Sequence, residues 1–407
     1  MGTIVKTPSP QDDPAPDFAV STGVTYVTED YTYTYNRICD TGRYDDEYLG
    51  EEYTTAADRP VEGWCVRVND MTKTSYEPIY NEIGGKPVVH LDSTFTFCEN
   101  LIEAPLLSEN AIYMNFTFVG CENLTTVENI PDSVIALRAA FKNCSSLESA
   151  PELPESCESL SQAFLNCINL VAMPEIPSNV KDMSSAFSGC TKLTEVTEIP
   201  NGVTTISSLF YNCVSLETAP EIPNGVVNMY ATFRGCSSLS GTVVIPDSVE
   251  NMGETFFGCN NLESVPHISA NATRLDNAFK DCYKLKTVGA IPSYVNKMQN
   301  AFMNCTSLVN APDMTNAVCV ENMKEAFQGC TSLETLPDLS NATNLTNMQN
   351  AFANCASVSG EIVIPKTVSN LNYCFYGTNE NIEMYYFVGS AAESYDAPSN
   401  VTKTPMT

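Results

Sequence analysis

Cysteine recurs at a fixed interval through most of this chain. Ten cysteines, from Cys98 to Cys305, stand 23 residues apart, and two more follow at steps of 25. A phenylalanine precedes each of these cysteines by three residues, and a leucine or, once, a valine follows it by three. A thirteenth copy keeps Phe375 but has Thr378 in place of the cysteine. So strict a period predicts a repeat protein, in which similar short units stack on one another.

The stretch Met183–Pro200, MSSAFSGCTKLTEVTEIP, is typical of the unit. Its apolar positions fall at i, i+3, i+4, i+7 and i+10, which is the spacing of one helical face. We therefore predict a short helical turn over Met183–Gly189. Asp182 suits an N-cap before this turn, and Gly189 suits the left-handed conformation that ends a helix.

An extended segment follows the turn in each unit. We predict a short parallel strand at Leu193–Val196, which passes into a polyproline-like bend. Several units read P-E-I-P, as at Pro174–Pro177 and Pro220–Pro223. Because proline cannot donate a backbone hydrogen bond to a neighbouring strand, it limits the ladder at these positions.

A unit of this length cannot bury its own apolar stripe, so each unit must stack on its neighbours and form a continuous core. The predicted core column consists of Phe187, Cys190, Phe210, Cys213, Phe233 and Cys236, together with their equivalents in the other units. We expect the column cysteines to be reduced, buried thiols that act as small apolar side chains. Cys157 and Cys319 are expected in the core as well.

The repeat pattern L-x-x-V-x-x-I-P-x-x-V-x-x-M-x-x-A-F-x-x-C spans roughly Leu91–Thr378. It resembles the BspA-like leucine-rich repeats of bacterial surface and phage-associated proteins. It departs from the usual form of that family, because the strand segment is one residue longer and the step from Met183 to Phe187 is four residues. The resemblance implies an α/β solenoid, a right-handed leucine-rich-repeat superhelix of about 13 coils of 23–25 residues. It also implies a role in adhesion or recognition.

Composition divides the chain into four predicted domains. Residues 1–20 are rich in proline and aspartate and should form a flexible or extended arm. Residues 21–89 alternate tyrosine with polar residues over Thr25–Tyr35 and continue with WCVRVN at Trp64–Asn69, so they predict a small β-rich domain that caps the first coil. Residues 90–378 form the solenoid. In residues 379–407 we expect a capping strand at Ile382–Val388, followed by a loose tail.

The formal net charge of −29 argues against nucleic acids and anionic membranes as partners. The sequence has no apolar run of about 18 residues, which a transmembrane helix would need. Its first residues also lack the apolar core of a secretory signal. Two explanations are open for an extracellular location: a signal has been removed, or the protein leaves the cell at lysis as part of a virion.

The chemistry of catalysis finds no recognisable motif in this chain. No C-x-x-C pair supports a zinc site, and neither His90 nor His267 belongs to a nucleophile or metal motif. His267 occupies a repeat position that is otherwise acidic, so we expect it to pair with a nearby Glu or Asp. Cys39 and Cys65 are the only possible disulfide pair. We therefore predict a protein that is not an enzyme and that holds no cofactor or metal.

A periodic row of carboxylates is the most distinctive surface feature, and we call it the acidic row. It consists of Glu152, Glu175, Glu198, Glu221, Asp313 and Asp338, each eight residues after a column cysteine. One interpretation is a solvated face that keeps the protein soluble and limits edge association. The other is a docking strip for a basic partner or for divalent cations, although no calcium-loop motif is present.

Two classes of function follow from these features. The first is a non-enzymatic binding or adhesion protein, which presents its extended surface to a protein or glycan on a cell surface. The second is a structural component of a phage virion, such as a fibre, tail or decoration protein, whose N-terminal region anchors it to neighbouring virion proteins. The oligomeric state is open, since no coiled-coil heptads are present.

Overall fold

The computed structural model describes residues 3–5, 24–36 and 62–406. They belong to two compact units, Met1–Val203 and Thr204–Thr407, which we call unit 1 and unit 2 and describe separately. This division follows the contacts within the chain. It leaves the four domains that were inferred from composition as predictions.

A six-stranded sheet forms the N-terminal part of unit 1. Its strands are β1 (Thr3–Val5), β2 (Thr25–Val27), β3 (Tyr31–Asn36), β4 (Gly63–Val68), β5 (Glu82–Ile83) and β6 (Lys86–His90). They lie in the order β1-β2-β3-β4-β6-β5, with β1/β2 and β4/β6 parallel and the other neighbours antiparallel. Strand β1 belongs to the predicted arm, and the rest of the arm lies outside the described residues.

Tyrosines of this sheet pack against the first coil of unit 1. Tyr31, Tyr33 and Tyr35 are buried while the threonines between them are partly exposed, as the alternation along a strand requires. The ring of Tyr31 lies 6.2 Å from that of Phe95, nearly perpendicular to it, and the Tyr76 ring lies 5.3 Å from Phe95. Aromatic side chains therefore cover the first phenylalanine of the column.

The segment Met183–Gly189 is a series of tight turns, so the helix predicted there is wrong. The N–H of Ala186 donates to the Met183 carbonyl at 3.0 Å, and that of Cys190 donates to the Phe187 carbonyl at 3.1 Å. Bonds of this kind begin at alternate residues, whereas a helix has a bond at every residue. Among the described residues there is no α-helix, so the α part of the predicted α/β class is also corrected, to a solenoid of stacked turns.

Positive backbone angles explain why the turns do not continue into a helix. Ser185 has a φ of +55° and Gly189 a φ of +75°. Each is the third residue of a hydrogen-bonded turn, where a type II turn needs a left-handed conformation. The same two positions have φ values of +51° to +77° in every coil. The sequence predicted the position before the cysteine but not the one before it.

The remaining backbone N–H groups of the turn segment bind the next coil. The N–H of Phe164 donates to the Ala186 carbonyl at 2.8 Å, and that of Asn166 donates to the Ser188 carbonyl at 2.7 Å. Alternate N–H groups therefore bond within a coil and between coils. This double use satisfies the backbone of a segment that has neither a helix nor a regular sheet.

The extended segments are shorter than the sequence predicts. In unit 1 the expected strand Leu193–Val196 is a single parallel bridge, in which Ala172 pairs with Glu195. In unit 2 one pair of coils forms two-residue strands, β7 (Ser264–Val265) and β8 (Thr287–Val288), which are parallel. Prolines that follow within a few residues prevent longer ladders.

Phenylalanine rings form the centre of the stack in both units. In unit 1 the rings from Phe95 to Phe187 stack at centroid distances of 5.1–5.6 Å. In unit 2 the rings from Phe210 to Phe375 stack at 5.2–5.7 Å. All of these rings are buried, as are the leucines that follow the column cysteines.

Unit 2 ends in a parallel three-stranded sheet. Its strands are β9 (Gly360–Ile364), β10 (Ile382–Phe387) and β11 (Val401–Met406), in the order β11-β10-β9. The strand expected at Ile382–Val388 is therefore present as β10. The loose tail is wrong, because residues after β10 form a 3-10 helix, Ala391–Glu393, and strand β11.

Candidate binding surface

The acidic row of unit 1 is exposed and regularly spaced along the stack. Its members in this unit are Glu152, Glu175 and Glu198, all of which are exposed. Each follows by three residues one of the bridge residues Ser149, Ala172 and Glu195, which pair in register. Because the bridges hold neighbouring coils at about the 4.8 Å spacing of paired strands, the three carboxylates occupy equivalent positions on consecutive coils.

The members of the row in unit 2 have different surroundings. Glu221, Asp313 and Asp338 are exposed, but the two aspartates bind their own backbone. Asp313 accepts the N–H of Thr315 at 2.9 Å and its hydroxyl at 2.8 Å, and these bonds lower the pKa of the Asp313 carboxyl. Asp338 accepts the N–H of Ser340 at 2.9 Å. These aspartates shape local turns, so the carboxylates that most resemble a docking strip are those of unit 1.

His267 pairs with a carboxylate, as the sequence predicts. Its Nε2 lies 2.7 Å from an Asp247 carboxylate oxygen, and both side chains are exposed. The bonds that Asp247 accepts from the Ala270 N–H and from His267 lower the pKa of its carboxyl. The described residues hold no cluster of three or more His, Cys, Asp or Glu side chains that could bind a metal ion.

The column residues are too deeply buried to contact a partner. Phe187, Cys190, Phe210, Cys213, Phe233 and Cys236 have no exposed surface. The cysteines also do more than fill space, because the Cys236 thiol donates to the Phe210 carbonyl at 3.0 Å. The same carbonyl accepts the N–H of Cys213 at 3.0 Å. Equivalent thiol bonds recur between successive coils, for example from Cys190 to Phe164 at 3.2 Å.

The other cysteines divide as their burial suggests. Cys157 is buried, whereas Cys319 is only half-buried, so its assignment to the core is partly wrong. Cys65 is disulfide-bonded, and the remaining described cysteines are free thiols. Cys39, the other member of the predicted pair, lies outside the described residues.

Sequence reasoning missed a surface strip in unit 2 that alternates aromatic and cationic side chains. This cation–aromatic strip consists of Tyr211, Arg234, Phe257 and Lys280, each of which follows a column phenylalanine. The Arg234 guanidinium lies 5.4 Å from the Tyr211 ring and 4.5 Å from the Phe257 ring, and the Lys280 ammonium lies 5.0 Å from Phe257. Comparing this position across the repeats would have shown it.

The charges of this strip are balanced by neighbouring groups of unit 2. Arg234 forms a salt bridge with Glu254. Burial, together with the hydrogen bond and charge of Glu254, raises the pKa of Tyr230. Since its rings already have cations over them and its arginine is paired, the strip is a stable surface rather than an open site.

A second feature that sequence reasoning missed is a groove at the C-terminal end of unit 2. This C-terminal groove has a volume of about 730 Å³, and Tyr373, Tyr376, Tyr395 and Asp396 line it. The only sequence signal was two tyrosines in the last repeat copy. In the part of the chain that the structure describes, no helix has the length and apolar character needed to cross a membrane.

Comparisons with known proteins agree with this architecture. The crystal structure of a leucine-rich repeat protein from Bacteroides ovatus ATCC 8483 is similar at a TM-score of 0.54 and 20% identity, covering 96% of this chain and 100% of that one. A leucine rich cell surface protein from Faecalibacterium prausnitzii A2-165 matches at a TM-score of 0.49 and 20% identity, covering 92% of this chain and 98% of that one. No curated protein sequence matches.

The family comparison covers most of the chain. The model of the BspA type leucine rich repeat region, in six copies, matches residues 91–217, 161–286 and 267–383. These matches include every coil that the cysteine period defines. The chain therefore belongs to the BspA-type leucine-rich repeat family.

Proposed function

We propose that this protein is a non-enzymatic adhesion protein, which acts outside the cell and presents its stacked coils to a partner. The observation that carries the proposal is the row of exposed glutamates on consecutive coils of unit 1, Glu152, Glu175 and Glu198. Evenly spaced carboxylates favour a partner with positive charge, and among the predicted partners a basic protein surface fits better than an acidic glycan.

The repeat architecture supports a binding role in a second way. A stack of similar coils exposes the same backbone positions many times, so that weak contacts at each coil add along an extended surface. The deeply buried phenylalanines and thiols leave the outer positions free to vary without loss of the core. The virion alternative stays a prediction that no observation here tests.

The proposal can be tested with a cationic protein surface as probe. We would immobilise lysozyme and measure binding of the intact chain by biolayer interferometry at low and at physiological salt. Changing Glu152, Glu175 and Glu198 together to Lys should weaken binding at least about tenfold, because each lost contact is worth roughly 0.5 kcal/mol and each new charge repels.

The matched control changes the exposed residues Glu321, Glu334 and Glu361 to Lys. This variant has the same net charge but an intact acidic row in unit 1. We expect its affinity to fall less than about threefold, through the net charge alone. Equal losses in the two variants would show that the row is only a solvated face.

A further inference from the structure

Exposed aromatic rings in unit 2 differ in what lies over their faces. In the cation–aromatic strip, and at Tyr386, an arginine or lysine side chain lies within 5.5 Å of the ring centre. Tyr373 and Tyr376 are 65% and 60% exposed. Within the described part of the chain, no lysine or arginine lies over either ring. An aromatic face attracts a cation, so these two rings have a binding capacity that the protein itself does not use.

The two rings form a corner. Their planes are nearly perpendicular, at 87°, with centroids 6.0 Å apart. A corner of this kind offers one ring face and one ring edge to a compact group, whereas a flat platform would suit a stacked sugar or base. Tyr376 N–H donates to the Tyr373 carbonyl at 3.1 Å, and Tyr373 has a φ of +55°. The turn of the last coil therefore fixes the spacing of the two rings.

The segment after β10 supplies the other wall of the C-terminal groove. The N–H of Phe375 donates to the Tyr395 hydroxyl at 3.3 Å, which ties this wall to the last coil. Lys403 donates through Nζ to the carbonyl of Tyr395 at 2.9 Å and to that of Glu393 at 2.7 Å. Burial raises the pKa of Tyr395 to about 12, so its hydroxyl is neutral at physiological pH. The groove is thus built before any ligand arrives.

The charge of the groove selects the sign of its ligand. Asp396 is the only charged residue among those that line it, and Asn372 and Ser394 add uncharged polar groups. The chain as a whole has a formal net charge of −29, which favours cations near its surface. Three tyrosine rings and one carboxylate are the components that recognise alkylated ammonium groups in proteins.

We propose that the C-terminal groove binds an organic cation of the quaternary ammonium class, with Tyr373, Tyr376 and Tyr395 around the cation and Asp396 as its counter-ion. The volume of about 730 Å³ exceeds that of one trimethylammonium group, so the groove also accepts the chain to which the cation is attached. This site lies in unit 2 and does not depend on the adhesion proposal for the glutamates of unit 1.

Choline and its neutral isostere 3,3-dimethyl-1-butanol provide the sharpest test, because they differ in charge and hardly in shape. Binding to the intact chain would be followed by NMR titration, with potassium chloride added to equalise ionic strength. We expect choline to shift resonances of Tyr373 and Tyr376 saturably and the alcohol to leave them in place. Equal binding of the two compounds, or no binding of choline, would overturn the proposal.

Variants locate the site. Changing Tyr376 to Leu should weaken choline binding about fivefold, which corresponds to roughly 1 kcal/mol for one cation–π contact. Changing Tyr376 to Phe should leave it unchanged, because the ring face remains. The matched control is Tyr294→Leu, since Tyr294 is also 60% exposed and lies outside the groove. An equal loss in that control would overturn the assignment to the groove.

A third arm distinguishes the source of the cation. N-acetyl-lysine methylamide carries a primary ammonium, as a lysine of a protein partner does, whereas choline carries a quaternary one. Aromatic faces favour the weakly hydrated quaternary ion, so choline should bind more tightly. If the lysine derivative bound more tightly, the quaternary assignment would be wrong and the groove would be a lysine site.

Discussion

The two sides of a coil connect to the next coil in different ways. On the turn side, from the methionine position to the column cysteine, alternate N–H groups form a continuous ladder to the neighbouring coil, as from Phe164 to Ala186 and from Asn166 to Ser188. On the extended side of unit 1 the ladder is a single bridge, such as that of Ala172 with Glu195. The turn side is therefore held by backbone and core together, and the extended side depends mainly on its apolar side chains.

This difference explains which positions repeat strictly along the chain. Phenylalanine and cysteine recur on the turn side almost without change, whereas the extended side varies between P-E-I-P and other sequences. The cysteine has two tasks, since it packs in the core and its thiol donates to a carbonyl of the preceding coil, as Cys259 does to Phe233 at 3.0 Å. A residue with two structural tasks has few substitutes.

The largest expected effect is unfolding by alkali, which acts on the turn side. Burial raises the pKa of the Cys190 thiol to about 12 and that of Cys259 well above its ordinary value. In the unfolded chain a thiol ionises near pH 8.5. Because the folded pKa is the higher one, the contribution of each thiol to stability is complete below about pH 8.5 and is lost as the pH rises toward the folded value, at about 1.4 kcal/mol per pH unit.

We therefore expect cooperative unfolding between about pH 9 and pH 11, which circular dichroism under anaerobic conditions would follow. Changing Cys236, Cys259 and Cys282 together to Ala should make the dependence of stability on pH shallower, even though it lowers stability at pH 7. Ile268→Ala, on the extended side, should lower stability by the same amount at pH 7 and at pH 9. An unchanged slope in the triple variant would contradict the buried-thiol explanation.

The next effect compares two core residues of one coil in unit 2. Phe256 lies between the rings of Phe233 and Phe279, at centroid distances of 5.7 and 5.6 Å. Changing it to Ala removes both ring contacts and should cost about 3–5 kcal/mol. Ile268, on the extended side, is also buried, but its replacement by Ala should cost about 2 kcal/mol, near the lower limit for such a change.

Chemical denaturation of the two single variants measures this difference. Phe375→Ala is a further control, because that ring stacks on Phe352 at 5.7 Å and lies in the last coil of the column. We expect its cost to fall below that of Phe256→Ala. Equal costs for Phe256 and Ile268 would show that the turn side has no special share in the stability of the stack.

The sequence predicts the stacked architecture well because the period of 23 residues survives every substitution between the coils. It also identifies the left-handed position before the cysteine, since Gly, Asn and Asp tolerate positive φ. The helix fails because i, i+3, i+4 and i+7 spacing arises equally from successive tight turns. The second positive φ lies at residues such as Gln162 and Glu254, whose side chains give no sign of it.

The candidate sites show the same limit. The acidic row follows from periodicity, and its exposure in unit 1 agrees with the pattern. Periodicity could not reveal that Asp313 and Asp338 bind their own turns, because those bonds depend on local backbone geometry. The C-terminal groove could not be inferred at all. It depends on Tyr395, which comes from a segment without repeats and reaches the last coil only through tertiary structure.

The smallest expected effect tests how closely the turn sides of neighbouring coils approach each other. Gly235 and Gly258 both have a φ of +77°. A Cβ on Gly235 would lie 2.1 Å from Oδ1 of Asn212 in the preceding coil, whereas a Cβ on Gly258 would meet no atom nearer than 3.7 Å. Replacement by Ala should therefore cost about 1 kcal/mol of left-handed strain at Gly258, and about 1 kcal/mol more at Gly235, where overlap adds to the strain.

Changing Asn212 to Gly should remove that additional cost, because it deletes the side chain that the new methyl group would meet. A double-mutant cycle on Asn212 and Gly235, measured by urea denaturation, should then give a coupling of about 1 kcal/mol. The same cycle on Asn212 and Gly258 should give none, since Gly258 packs on Gly235 and not on Asn212. If the two cycles gave equal couplings, the choice between Asn and Gly at this position would be a local matter of φ. A coupling confined to the first cycle would show instead that each coil selects the residue of the next.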